Sequence, residues 1–583
     1  MFLSLLSLLR SVYPRLRTHV IVGLAVLSAS TQASMFEEKI DLPSNDLNGN
    51  LLYQIIASEV ALQHNEAGTA FQTYMSLART TKDPRFAQRA FEIADNLHAY
   101  KQALEATELW LSLSPSSASA QSSYALVKLR QGDLSLANQQ QLQNLLEKTA
   151  NAEKRNQFLH QIVVQSEIGA RDAQKALHFL SPFIGTAEHH GLIALALAKL
   201  YRRANEPHRA QHYAKRAYQD LPDNVTALLE YADGLTKSDL RIAVATIEAF
   251  VNKHPEELDA RLGLAKAYAK SKQPQKTLEQ IQHLEKRVPN NPAVIFTLAG
   301  IADTVNLPQE TQQLLLKFEK LAEQNPQFEE KLPQTHLALG IGYYRQKNYE
   351  QAVDHFRKVP QNSDLYTDAK LLEAHCLASM KKTEQAIKLL DKITSNTKQI
   401  EIWQAQAKFA DQLKRHKDSY RYLKKALDAR PEDPTLLYHT AIAAEKIGRL
   451  DQAEALLQSG IDQFPNKPDF YNALGYLWAD HNKNLDKAKR LLNKALKLSP
   501  NDPAILDSIG WLYFRQGELA LAQKYLEKAS EKSADVEILL HLAEVHYAQK
   551  QVPRTMDILR SLMKLYPKNE MIEQFMDRLH LHF

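Results

Sequence analysis

Residues 503–534 read PAILDSIGWLYFRQGELALAQKYLEKASEKSA, and this stretch decides the fold. Pro503 suits the first turn of a helix, where its missing N–H costs nothing. Ile509, Gly510 and Tyr513 then fall on one helix and Ala522, Leu526 and Ala529 on a second. Neighbours three or four residues apart share a helical face, so each set forms an inward stripe. Small residues at Gly510 and Ala522 let the two helices approach closely, and Tyr513 and Leu526 fill the space beside that contact.

The same offsets return throughout the chain. They recur as Leu339, Gly340, Tyr343, Ala352, Phe356 and Val359, and as Leu474, Gly475, Trp478, Ala488, Leu492 and Ala495, the latter with one extra residue in the turn. A ladder of small residues runs Ala70, Ala103, Ala137, Ala176, Ala210, Ala243, Thr277, Leu314, Ala352, Ala386, Ser419, Ala453, Ala488, Ala522, Thr555. Most steps are 33–35 residues, the period of a tetratricopeptide-type helix–turn–helix repeat. Pro222, Pro255, Pro289, Pro326, Pro431, Pro465, Pro500 and Pro567 fall where second helices should end. The expected fold is all-α: a right-handed superhelical solenoid of about fifteen such units. Longer steps between Ala137 and Ala176 and on both sides of Leu314 mark expected irregularities.

The expected organisation follows. Arg10, Arg15 and Arg17, the apolar run Val20–Leu27 and the small residues 28–34 have the order of a secretory signal, with cleavage after Ala33. Residues 1–33 are thus a signal, 34–49 a polar linker, 50–115 N-terminal repeat-like helices, 116–333 a degenerate array, 334–567 a C-terminal array and 568–583 a capping helix. The apolar run is short for a membrane span, which leaves an uncleaved anchor as the alternative. The expected location is periplasmic.

Composition excludes other classes. A chain of 583 residues with 17 Gly is too long for one core but suits a solenoid, where each unit packs only on its neighbours. A net charge of +5 without a concentrated basic patch argues against nucleic acid. The single Cys376 lies in an apolar helical stretch and reads as a core residue. Phosphate loops, nucleophile elbows and zinc-helix motifs are missing, and the 21 His are scattered. The reading therefore includes no catalytic residue, no cofactor, no metal site and no small-molecule substrate.

Function is then expected on the face of the first helices, in the groove of the last units. Asn472, Tyr476, Asp507, Trp511, Leu540 and Glu544 are the candidate partner-binding residues. Rings and amides in a row suit proteins or extended peptides; equally, Tyr476 and Trp511 fill space in a tightly wound array.

Two blocks resemble bacterial envelope tetratricopeptide-repeat proteins, the family of LbcA, the lipoprotein adaptor of the carboxy-terminal-processing protease CtpA. The first holds Ile55 to Ala61 with Glu59, then Tyr74, Asp83-Pro84-Arg85, Arg89-Ala90 and Trp110. The second holds Asn472 to Tyr476, Ile505 to Trp511 and His541 to Val545. The resemblance implies an adaptor that binds a periplasmic serine protease and its peptidoglycan-hydrolase substrates. The region 27–34 lacks the Cys a lipoprotein needs, so a free periplasmic form is expected. An assembly scaffold for outer-membrane protein or polysaccharide export is the alternative.

Overall fold

The computed structural model describes residues 48–64, 66–184 and 190–581; the expected signal and most of the expected linker lie outside them. The described residues form 31 α-helices and a short 3-10 helix, and no strand. Each helix packs chiefly on its neighbours in sequence, so the chain is a series of helical hairpins. It divides after Leu314 into two compact units. No helix among the described residues is long and apolar enough to cross a membrane.

The small-residue ladder is the seam of each hairpin. Every rung is buried except Ala137, which is exposed; its place is taken by Asn138. The Asn138 amide is held by the carbonyls of Ala125 and Asp133, so a polar residue is tolerated there. A Cβ on Gly510 would come within 2.5 Å of Leu526 Cγ, and one on Gly475 within 2.6 Å of Leu492 Cγ. Only glycine permits that approach without repacking the second helix.

The irregular steps have structural causes. The helix Ala152–Gly169 has 18 residues, where its neighbours have 12 or 13. The 3-10 helix Pro326–Lys331 is inserted before the helix Leu332–Arg345. At the C-terminus the helix Glu570–Arg578 buries Ile572 and Phe575 against Leu540, Leu559 and Leu562. Met571, on the same helix, is 46% exposed. Lys414 Nζ donates to both oxygens of Glu570, at 2.7 and 2.6 Å, although 156 residues separate them.

A second ladder runs through the turns. Backbone φ is positive at Lys347, Lys381, Lys414, Gly448, Asn482, Gly517 and Lys550, between +53° and +79°, again at about the repeat spacing. The left-handed region costs a non-glycine residue roughly 1–2 kcal/mol. Lys381→Gly combined with Lys550→Gly should therefore stabilise the C-terminal unit. After the entropic loss from adding glycine, the expected gain is about 1 kcal/mol for the pair. A urea midpoint that stays constant or falls would contradict this.

Candidate partner-binding site

Four first helices of the C-terminal unit, Pro434–Lys446, Pro468–Asp480, Pro503–Arg515 and Val536–Ala548, build the site. Asp502 starts the third: its side chain accepts from the Ala504 N–H at 2.9 Å, with Pro503 next in the first turn. That register places Asp507 and Trp511, four residues apart, on one face. The repeat then brings the matching residues of adjacent helices alongside.

Trp511 is the hub. Its ring stacks on His541 with centroids 4.1 Å apart and on Phe514 at 4.9 Å. Its Nε1–H donates to Asp480 at 3.0 Å. His541 Nδ1 lies 2.9 and 3.1 Å from the two Asp507 oxygens. The Tyr476 hydroxyl donates to Glu537 at 2.9 Å, reaching across an intervening repeat. Glu544 is held by Arg578 of the last helix at 2.7 Å.

The structure thus gathers Tyr476, Asp507, Trp511 and Glu544 into one neighbourhood. Asn472 lies on the same helix as Tyr476, and its Oδ1 is buried without a hydrogen-bond partner. Leu540 points elsewhere, into the core with Leu559 and Phe575. The residue one period beyond Asp507 is His541, which the sequence reading passed over although the 34-residue spacing marks it. Glu445, Asp480 and Glu537 were also missed; only the fold shows that they converge.

Carboxylates dominate this face. Burial, and then Asp480 and Glu537, push Glu445 above the usual carboxylate range, with His481 pulling the other way. Burial and Glu537 likewise push the Tyr476 phenol up. Burial opposes a charge on His541, but the Asp507 hydrogen bond and the charges of Asp507, Glu537 and Glu544 outweigh it and raise the imidazole above its ordinary 6.5. A raised histidine contributes stability below its unfolded-state value and loses it as pH rises through the folded-state value. Urea unfolding of the wild type should therefore weaken from pH 6 upward, and His541→Phe should flatten that dependence. Equal pH slopes for the two would show that His541 does not carry it.

The N-terminal block forms a comparable buried network. Tyr74 donates to Glu59 Oε1 at 2.6 Å, and Arg89 grips both Glu59 oxygens at 3.0 Å while reaching Glu92 at 3.0 Å. Asp83 caps the helix Pro84–Asn96 and accepts from the Arg85 N–H at 3.0 Å. Cys376 is buried, and burial followed by the nearby Glu373 pushes its thiol up to about 11, which suits a core residue rather than a nucleophile.

A third cluster brings together side chains of metal-ligating type. Glu319, His336 and His355 are buried together, with one ligand atom of each within 4.8 Å of the others. Spacings of 17 and 19 residues match no short motif, so only the fold brings them together.

Tetratricopeptide-repeat models match residues 343–409, 412–475, 468–502 and 508–570. With the hairpin seam and its period, these matches make the described helices a tetratricopeptide-type repeat array, an architecture whose stacked units present an extended surface. In sequence the chain is similar to the TPR repeat-containing protein PA4667 of Pseudomonas aeruginosa, 27% identical over 502 residues that cover 85% of this chain and 82% of that one. Similar solved structures include yeast Tom70, at 14% identity and a TM-score of 0.31, covering 90% of this chain and 94% of that one. A tetratricopeptide repeat protein from Parabacteroides merdae is 17% identical with a TM-score of 0.38, over 42% of this chain and 98% of that one.

Proposed function

We propose that the chain is an exported, non-catalytic adaptor that holds protein partners on the first-helix face of its C-terminal unit. The observation that carries this reading is the surplus of carboxylates there. Glu445, Asp480, Asp507, Glu537 and Glu544 converge around Tyr476 and Trp511, while Arg578 and His541 supply the opposing charge. Such a face suits an extended segment bearing lysine, arginine or a free amine. The resemblance of the two sequence blocks to envelope adaptors supplies the partner class: a carboxy-terminal-processing serine protease, with its cell-wall hydrolase substrates.

The test is affinity capture from an envelope extract with the tagged chain and with Glu445→Gln/Asp480→Asn, partners being read by mass spectrometry. Recovery of such a protease by the wild type, reduced roughly tenfold or more by the charge-neutral variant at low salt, is the expected result. Recovery of pore or polysaccharide-export components without a protease would instead identify an assembly scaffold. Equal recovery of the protease by both chains would move its contact away from this face.

A further inference from the structure

Glu319, His336 and His355 come from three consecutive helices, Pro308–Ala322, Leu332–Arg345 and Tyr349–Arg357, on either side of the inserted 3-10 helix. His336 Nδ1 lies 3.3 Å from Glu319 Oε1, and His355 Nδ1 lies 4.0 Å from it. Both Nδ1 atoms are buried and make no hydrogen bond. The Tyr343 ring stacks on His355 at 5.4 Å and fixes its plane.

A tetrahedral ion with bonds near 2.0–2.2 Å needs ligand atoms about 3.3–3.6 Å apart; here the three lie within 4.8 Å of one another, so the side chains would draw together around an ion. Lys358 Nζ now sits 2.6 Å from Glu319 Oε1, but half of its side chain is exposed and can swing into water. Two imidazoles and one carboxylate form a donor set suited to zinc and its first-row neighbours. Buried imidazole nitrogens left without partners are otherwise costly.

We propose that Glu319, His336 and His355 form a zinc site that pins the three helices around the 3-10 insertion, with water as the fourth ligand. The proposal is independent of the partner-binding face.

Calorimetric titration of zinc into the chelator-treated full chain tests it. One zinc per chain is expected in the wild type, with affinity falling about 100-fold or more in His336→Gln and in His355→Gln. Lys358→Met removes the competing ammonium and keeps all three ligands, so it should bind zinc as tightly as the wild type or more tightly. Zinc should also raise the melting temperature of the wild type and of Lys358→Met. Should the histidine variants fail to fold, cobalt added to the wild type provides the second readout, through the strong visible bands of a four-coordinate site. Absence of stoichiometric zinc in the wild type, unchanged affinity in folded histidine variants, weaker binding by Lys358→Met, or cobalt bands typical only of six-coordinate ions would overturn the proposal.

Discussion

Arg89→Ala is expected to destabilise the N-terminal unit by about 3–5 kcal/mol. Arg89 grips both oxygens of Glu59, a carboxylate almost wholly buried beside Tyr74. Removing the guanidinium leaves that charge in a low-dielectric site with only the Tyr74 hydroxyl to hold it. The cost is mainly the desolvated, unpaired carboxylate rather than the lost attraction. Neutralising the survivor should therefore recover much of the loss, so Glu59→Gln in the Arg89→Ala background should be more stable than Arg89→Ala alone. Urea unfolding of the single and double variants checks both statements. A single variant within 1 kcal/mol or so of the wild type would mean that water reaches Glu59 and that the pair behaves as a surface one.

Trp511→Ala is expected to cost the C-terminal unit about 3–5 kcal/mol. The indole is only 6% exposed and stacks on both His541 and Phe514. Truncation leaves a cavity and removes the cover from the Asp507–His541 pair. Trp511→Phe keeps the ring but frees Asp480 of its Nε1–H partner, and should cost about 1 kcal/mol. This bears on how binding is to be probed. Trp511 was a candidate partner-binding residue, yet the packing makes it a stability residue first. The charge-neutral Glu445→Gln/Asp480→Asn pair is the cleaner probe. A melting temperature for Trp511→Ala equal to that of the wild type would restore the indole to the partner-facing surface.

What the sequence disclosed depended on periodicity. The seam residues Ala352, Ala453, Ala488 and Ala522 repeat because two helices meet at the same depth in every hairpin, and a small side chain is the common solution. The turn ladder was hidden for a chemical reason: lysine stands at Lys347, Lys381, Lys414 and Lys550, where glycine or asparagine would have signalled positive φ. Asn138 was hidden because a polar residue fills a seam position through hydrogen bonds that no pattern of apolar residues reveals. For the site, Asp507, Trp511 and Glu544 stood out in the sequence as residues that the repeat does not demand. His541 differed by one residue of register from Leu540, which turns a side chain about 100° around a helix and sends Leu540 into the core. Glu319, His336 and His355 have no local signature, because three helices bring them together.

The contact between Lys414 and Glu570 gives the C-terminal unit a mechanical property. Four hairpins lie between the two residues, and both side chains stand in water. An exposed pair of this kind contributes less than about 1 kcal/mol and is screened by salt. It is therefore a weak clasp across four hairpins, too weak to hold any of them folded. Raising the ionic strength should soften the coil while every hairpin stays intact, which makes the elasticity of the array adjustable separately from its folding.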